Sequence, residues 1–274
     1  MDIGVSRPIT APKGMLDDKV ALITGSTSGI GLGVARSFAS AGASVVLNGF
    51  GRPREINDTL ESLQRETGTS AIYSTADMTK PDEIVGMVTL ALETFGRLDI
   101  VVNNAGIFHV GPVDQVPIDK WDAVLAINLS SAFHTIRLAL PAMRRQGGGR
   151  IINIASALAL VGAPLTSAYA AAKHGIVGLT KVVALETAEN NITCNAICPG
   201  NVWTPLAEAH IAEQVKAHGR PREEVIRNIL LAEQPNKRFA MVQEIGALAT
   251  FLASDAAASI TGAALPIDGG WTSH

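Results

Sequence analysis

Seven short apolar runs, separated by helix-length amphipathic segments, leave this chain few folds to choose from. VALIT (20–24), SVVLN (44–48), AIYSTA (71–76), DIVVN (99–103), RIINIA (150–155), ITCNAI (192–197) and ALPID (264–268) read as strands. Several are continuously apolar rather than alternating, the pattern of strands covered on both faces. Helical patterns fill the intervals at 30–42, 55–66, 81–95, 119–145, 167–189 and 242–254. The alternation predicts an α/β chain whose strands form one doubly wound parallel sheet in a single domain. Residues 1–15 read as a flexible arm rich in breakers, and 16–274 as the domain. The segment 203–239 departs from the rhythm, with turn signals at Pro205, Gly219-Arg-Pro221 and Pro235. It is expected to lie over one end of the sheet as a lid.

Composition narrows the function classes. The 274 residues carry a formal charge of -3, which gives no reason to expect nucleic acid or an anionic membrane surface as partner. No continuous apolar run approaches the roughly 20 residues of a membrane span, and the first 15 residues lack the apolar stretch of a signal peptide. Cys194 and Cys198 stand four apart on one predicted strand, about 13 Å from each other, too far for a disulfide. No histidines lie at ligand spacing from them, so no metal site is expected. Both are read as buried thiols of a cytoplasmic protein.

In an open α/β sheet, ligands bind beyond the carboxyl ends of the strands, and the polar signatures of this chain fall there. Thr24-Gly-Ser-Thr-Ser-Gly-Ile-Gly31 joins the first strand to a helix, so its glycines can bring backbone close to a phosphate at the helix N-terminus. The spacing is not that of the usual dinucleotide fingerprint. Asn103-Asn-Ala-Gly106 follows the fourth strand, Ser156 the fifth and Pro199-Gly200 the sixth. Asn128 sits in an otherwise apolar helix, either capping a carbonyl at a kink or holding a water on a proton path. Tyr169 and Lys173, at i and i+4, share one helix face. An ammonium roughly 4 Å from a phenolate contributes about 4 kcal/mol at an effective dielectric near 20, enough to draw the phenol toward neutral pH.

TGSTSGIG, NNAG, the helix asparagine, Ser156, Tyr169-x-x-x-Lys173 and PG occur in the order of the short-chain dehydrogenase/reductase family, which the chain resembles over about 16–274. The resemblance implies a Rossmann-type fold, a nicotinamide cofactor and a catalytic tetrad of Asn128, Ser156, Tyr169 and Lys173. Tyr169 would exchange the proton with the substrate oxygen, Ser156 would hydrogen-bond that oxygen, Lys173 would hold the nicotinamide ribose and lower the phenol pKa, and Asn128 would anchor a water chain. Implied cofactor contacts are Gly25, Thr27, Gly29, Ile30, Gly31, Phe50, Asp77, Met78, Asn104, Ala105, Gly106, Pro199, Gly200, Val202 and Thr204, with Tyr169 and Lys173. The family implies a homotetramer paired through the helices at 119–145 and 167–189.

Within the family, TGSTSGIGLG, VVLNGFG, GRIINIAS, YAAAKHG, NAICPG and LASDAAA look like bacterial D-3-hydroxybutyrate dehydrogenases. The polar residues with which those enzymes hold a carboxylate are replaced: a glutamine by Phe108, a histidine by Leu158, a lysine by Thr166 and a lid glutamine by His210. A carboxylate buried against Phe108 and Leu158 would be strongly disfavoured. The expected substrate is therefore a bulky, uncharged, alicyclic secondary alcohol or ketone, in a pocket of Phe108, Leu158, Leu160, Trp203, Leu206 and His210. For Trp203, packing under the lid is the equal alternative. NAD is favoured over NADP, because Asn48-Gly49-Phe50 matches NAD-using members and the glycine loop carries no basic residue, although Arg52 and Arg54 follow. Asp77 would meet the adenine amino group. The competing readings are a 3-hydroxybutyrate dehydrogenase, a reductase of 3-oxoacyl thioesters, and a cofactor-sensing regulator without turnover.

Overall fold

The computed structural model describes residues 14–273, and in it all seven apolar runs join one sheet. The strands are β1 (Val20–Ile23), β2 (Ser44–Asn48), β3 (Ala71–Ser74), β4 (Ile100–Asn103), β5 (Gly149–Ile154), β6 (Ile192–Pro199) and, after a short pair named below, β9 (Ala264–Ile267). Every pairing is parallel, in the order β3-β2-β1-β4-β5-β6-β9. The order reverses between β1 and β4, so the connections leave these two strands in opposite directions and open a crevice at their carboxyl ends.

The helices are α1 (Gly29–Ser40), α2 (Pro53–Thr67), α3 (Pro81–Phe95), α4 (Ile118–Leu125), α5 (Ser131–Gln146), α6 (Ser167–Thr187), α7 (Pro205–His218), α8 (Arg222–Val225) and α9 (Val242–Ala253). Proline opens α2 and α3, where its missing N–H costs nothing, and Gly68 and Gly96 close them in the left-handed conformation. Strand side chains alternate between the two faces of the sheet. Ala21, Ile23, Ile100 and Val102 face a core with Val34, Phe38 and Ile245 of α1 and α9. Val20, Leu22 and Val101 face the opposite core, with Ile84, Met87, Ile136 and Met143 of α3 and α5.

Two features depart from the sequence reading. The single helix expected at 119–145 is interrupted by a π-type turn at Ala126–Ser130. By length and composition the run Ile118–Gln146 could cross a membrane, with mean hydropathy 1.4, but 44% of that window is buried inside the protein as a core helix. The segment 203–239 folds into α7, α8 and a second π-type turn at Ile226–Leu230. A two-residue parallel pair, β7 (Val202–Trp203) and β8 (Ala240–Met241), brings its two ends together. Most of the arm expected at 1–15 lies outside the described residues; Met15 packs against the α1 side of the core, and Leu16 is fully buried.

Cys194 and Cys198 both lie on β6, fully buried and unbridged. Burial pushes their thiols up, to about 12 and about 11. The thiolate is the reactive form, so both are expected to be inert in the folded protein. Native enzyme should leave a disulfide reagent such as DTNB unconsumed at mildly alkaline pH, and denatured enzyme should release two equivalents. Stoichiometric labelling of the native enzyme would contradict this burial.

Candidate active site

The crevice is stitched together by side chains from neighbouring strands. Asn104 follows β4, and its Nδ2 donates to the carbonyls of Thr24 and Gly25 beyond β1, both at 2.9 Å. In return, Thr24 Oγ1 accepts the amides of Asn104 and Ala105 at 3.0 Å. Asn48, fully buried at the end of β2, donates to the carbonyls of Ser74 and Ala76 and accepts the Gly25 amide at 3.3 Å. A polar residue closing an apolar strand was its sequence signal, although the motif reading passed over it as a bracing residue.

This stitching leaves no space for a side chain at Gly31, where a Cβ would stand 2.4 Å from the Gly25 carbonyl oxygen. Ser28 caps α1 only through its backbone, and the first turn holds no acidic residue, so the amides there face outward unneutralised. The residues present therefore suit an anionic diphosphate at this end. A cavity of about 650 Å³ adjoins Thr27–Gly29, bordered by Trp203–Pro205 and Val242–Gln243. Ser156 and Tyr169 are outside its lining, so it flanks the glycine loop rather than the reacting groups.

The remaining expected contacts fall around this loop. Ile30 and Val202 pack into the α1 side of the core and Met78 into the opposite side. Phe50 is largely exposed, and its carbonyl accepts the Thr27 hydroxyl at 2.8 Å. Gly49 has φ +142, and a Cβ there would meet Thr27 Oγ1 at 2.8 Å. Asp77 holds Thr79 through its amide and hydroxyl, and these bonds depress its carboxyl pKa. Pro199 ends β6, and the Gly200 amide donates to the Ile267 carbonyl at 2.9 Å. Thr204 caps α7 through the Ala207 amide and lies beside Gly29.

Across the crevice, Ser156 follows β5, and its Oγ accepts the Leu158 amide at 3.1 Å and neighbours the Tyr169 phenol. Lys173 is buried on the next turn of α6, donates to the Ile154 carbonyl at 2.7 Å, and lies 5.5 Å from the centre of the Tyr169 ring. Burial pushes this ammonium down to about 8. Burial also raises the Tyr169 phenol, and only the neighbouring Ser156 side chain pulls it back. The lowered phenol expected from the i, i+4 spacing is thus not found, because desolvation of the phenolate outweighs an ammonium that is turned toward a carbonyl.

The π-type turn places Asn128. Its Nδ2 takes the Val124 carbonyl at 3.0 Å and the Ile107 carbonyl at 2.9 Å, tying the loop after Gly106 to the turn. A π-type turn shifts the backbone pairing by one residue and releases a carbonyl, and the asparagine side chain takes it up. Asn128 Oδ1 is buried with no protein partner. Capping is therefore observed, with an acceptor left over.

The predicted pocket residues divide into two groups. Phe108 packs its ring edge-on to Tyr169, centroids 4.7 Å apart, and is 51% exposed. Leu158 is buried beside Ser156, and Leu160 is partly exposed on the same loop. Thr166 is buried and turns its hydroxyl to the Ala163 carbonyl at 2.8 Å. Trp203 instead packs edge-on against Phe239 in a cluster with Ile211 and Leu231, beneath α7. Leu206 and His210 are exposed on α7, with the His210 ring against Gln214. Sequence reasoning missed Leu165, exposed in the left-handed conformation at φ +67, whose carbonyl accepts the Gly111 amide.

Known proteins share this architecture. A family model described as enoyl-(acyl carrier protein) reductase matches residues 25–272. The D-beta-hydroxybutyrate dehydrogenase of Rhizobium meliloti (strain 1021) is 52% identical, over 93% of this chain and 99% of its own. A cyclohexanol dehydrogenase of Acinetobacter sp. (strain SE19) is 36% identical, over 94% of this chain and 96% of its own. The crystal structure of levodione reductase superposes with a TM-score of 0.86 at 33% identity, covering 94% of this chain and 99% of that one. The chain belongs to the short-chain dehydrogenase/reductase family, oxidoreductases of alcohols and ketones that use a nicotinamide cofactor.

Proposed function

We propose that this protein interconverts a bulky, uncharged, alicyclic secondary alcohol and its ketone, with NAD as cofactor. The observation that carries this reading is the apolar wall beside the two hydroxyls: Phe108 lies against Tyr169, Leu158 is buried next to Ser156, and Thr166 is occupied with Ala163. A carboxylate entering there would lose its hydration with no cation among Phe108, Leu158 and Thr166 to replace it. The relative named cyclohexanol dehydrogenase supports the same substrate class.

In this reading the substrate oxygen sits between Ser156 Oγ and the Tyr169 hydroxyl. Tyr169 takes the proton of the alcohol during oxidation and returns it to the carbonyl oxygen during reduction. Ser156 donates to the oxygen as charge develops on it. Lys173, held by the Ile154 carbonyl, keeps positive charge beneath the phenol and reaches the ribose. Asn128 Oδ1 is the acceptor for a water that carries the proton outward. The bound nicotinamide supplies or accepts the hydride. Gly25, Thr27, Gly29, Ile30 and Gly31, with Asn104, Ala105, Gly106, Pro199, Gly200, Val202 and Thr204, would hold this cofactor, while Phe50, Asp77 and Met78 would flank its adenosine end. NAD is favoured over NADP, because Asn48-Gly49-Phe50 matches NAD-using members, the glycine loop carries no basic residue and the Arg52 guanidinium is paired with Glu55. The segment 203–239 would close over the substrate.

A homotetramer is part of this proposal, supported by the exposed apolar side chains of Phe133, Val182 and Leu185 on α5 and α6. A cytoplasmic setting accords with the two free thiols. The second reading is 3-hydroxybutyrate oxidation, favoured by the 52% identity to a relative of that name.

Three experiments test the proposal. Tyr169→Phe should lower kcat by about 10²–10⁴-fold while leaving cofactor affinity intact. Because burial raises the phenol, wild-type alcohol oxidation should climb from neutral to alkaline pH as Tyr169 becomes able to accept a proton, and ketone reduction should fall over the same range. Retained turnover in Tyr169→Phe would remove this residue from the mechanism. The combined change Phe108→Gln, Leu158→His and Thr166→Lys should raise kcat/KM for 3-hydroxybutyrate by about tenfold or more. No gain would mean that other residues set the substrate.

A further inference from the structure

Beneath the proposed tetrad runs a second line of polar groups, assigned no role so far. Thr135 of α5, Asn103 of β4, Asn153 of β5 and Thr180 of α6 are all at most 7% exposed. Thr135 Oγ1 donates to Asn103 Oδ1, Asn103 Nδ2 to Asn153 Oδ1 at 2.8 Å, and Asn153 Nδ2 to Thr180 Oγ1 at 2.8 Å. The two asparagines are register partners in the β4–β5 pairing. Thr180 also donates to its own helix at the Ile176 carbonyl, 2.7 Å away, and the Thr135 hydroxyl shares its one proton with the Ala132 carbonyl at 2.9 Å. The line thus crosses from one helix, over two strands, to another.

Its members stand in fixed relation to the reacting groups. Thr135 is seven residues beyond Asn128, and Thr180 seven beyond Lys173, about two helical turns or 10 Å. Asn103 immediately precedes Asn104, and Asn153 is three residues before Ser156. The surrounding contacts of α5 and α6 with the sheet are mostly apolar, and apolar contact is non-directional, so it resists sliding weakly. Hydrogen bonds in a dry interior are directional, and breaking one strands a buried polar group. The π-type turn at Ala126–Ser130 interrupts the regular helical pairing at Asn128, and Thr135 anchors the helix on its far side to β4.

We propose that Thr135, Asn153 and Thr180 are positioning residues, which set the register of α5 and α6 on β4 and β5 and so fix Asn128, Tyr169 and Lys173 relative to Ser156. This rests on the catalytic reading above. The Asn153 carboxamide is the central link, since it alone reaches both β4 and α6.

The test needs a readout that lost stability alone would not move. The chain has two tyrosines, so in a Tyr73→Phe background the ultraviolet phenolate signal reports Tyr169 alone. In that background Thr180→Val, which keeps the shape and removes the hydroxyl, should move the Tyr169 titration to lower pH as its burial loosens, with Thr180→Ser restoring it. With cyclohexanol and NAD, kcat per NADH-binding site should fall about tenfold or more in Thr180→Val, with NADH affinity within about twofold of wild type. Thr135→Val carries the same expectation from the α5 side and decides the matter if Thr180→Val does not fold. An unmoved phenol titration, with lowered Tm as the sole change, would reduce the line to a structural brace and overturn the proposal. Tyr169→Phe measured alongside separates the two claims: its retained turnover would sink the catalytic reading whatever the threonine variants do.

Discussion

The structure depends first on the bonds between the turn after β4 and the loop after β1. Asn104 satisfies two loop carbonyls, and Thr24 satisfies two amides of the turn, so the neighbouring strands at the reversal point end in one shared hydrogen-bonded unit. That unit sets the spacing of the crevice. It forces glycine at position 31 by proximity and leaves the α1 amides facing the ligand side. On the other flank, β5 and α6 bring Ser156, Tyr169 and Lys173 to the same edge, because strands of a parallel sheet all end there.

Electrostatics at the second flank is a contest between burial and pairing. Lys173 and Tyr169 are both dry, so each loses hydration on ionising. Burial brings the ammonium down to about 8, and it donates a hydrogen bond to the Ile154 carbonyl. The phenol has Ser156, and Phe108 shields its ring from solvent on the opening side. A group in this state is a reluctant acid that yields its proton best to a carbonyl oxygen also gripped by Ser156. In the proposed reading the apolar surroundings that raise the phenol would also disfavour a charged substrate, so acid strength and substrate class would share one feature of the sequence.

Much of this was legible beforehand. The seven strands were found to within two residues because their apolar runs are continuous and bounded by glycine, proline or polar residues. The polar signatures were correctly expected at the carboxyl edge, since that follows from parallel topology. What escaped depends on tertiary contact. The π-type turn hinges on Asn128 reaching Ile107, 21 residues away, which no helical periodicity encodes. The Thr135–Asn103–Asn153–Thr180 line joins residues 27 to 50 apart, each an ordinary residue in its own segment. The direction of the Tyr169 shift also escaped, because an i, i+4 pair reveals the neighbour but not the burial. Trp203 went to the packing alternative that its size had left open.

The proposed substrate class rests on the uncharged side chains of Phe108, Leu158 and Thr166 beside Ser156 and Tyr169, and competition between substrates tests it most directly. Initial rates of NAD reduction, followed at the absorbance of the reduced nicotinamide, would be compared for cyclohexanol and D-3-hydroxybutyrate on the wild-type enzyme. A kcat/KM for cyclohexanol at least about 100-fold higher is the predicted result, corresponding to roughly 2.7 kcal/mol of discrimination at the transition state. A preference for D-3-hydroxybutyrate would contradict it, and would mean that the carboxylate is held by groups other than those that replaced its expected partners.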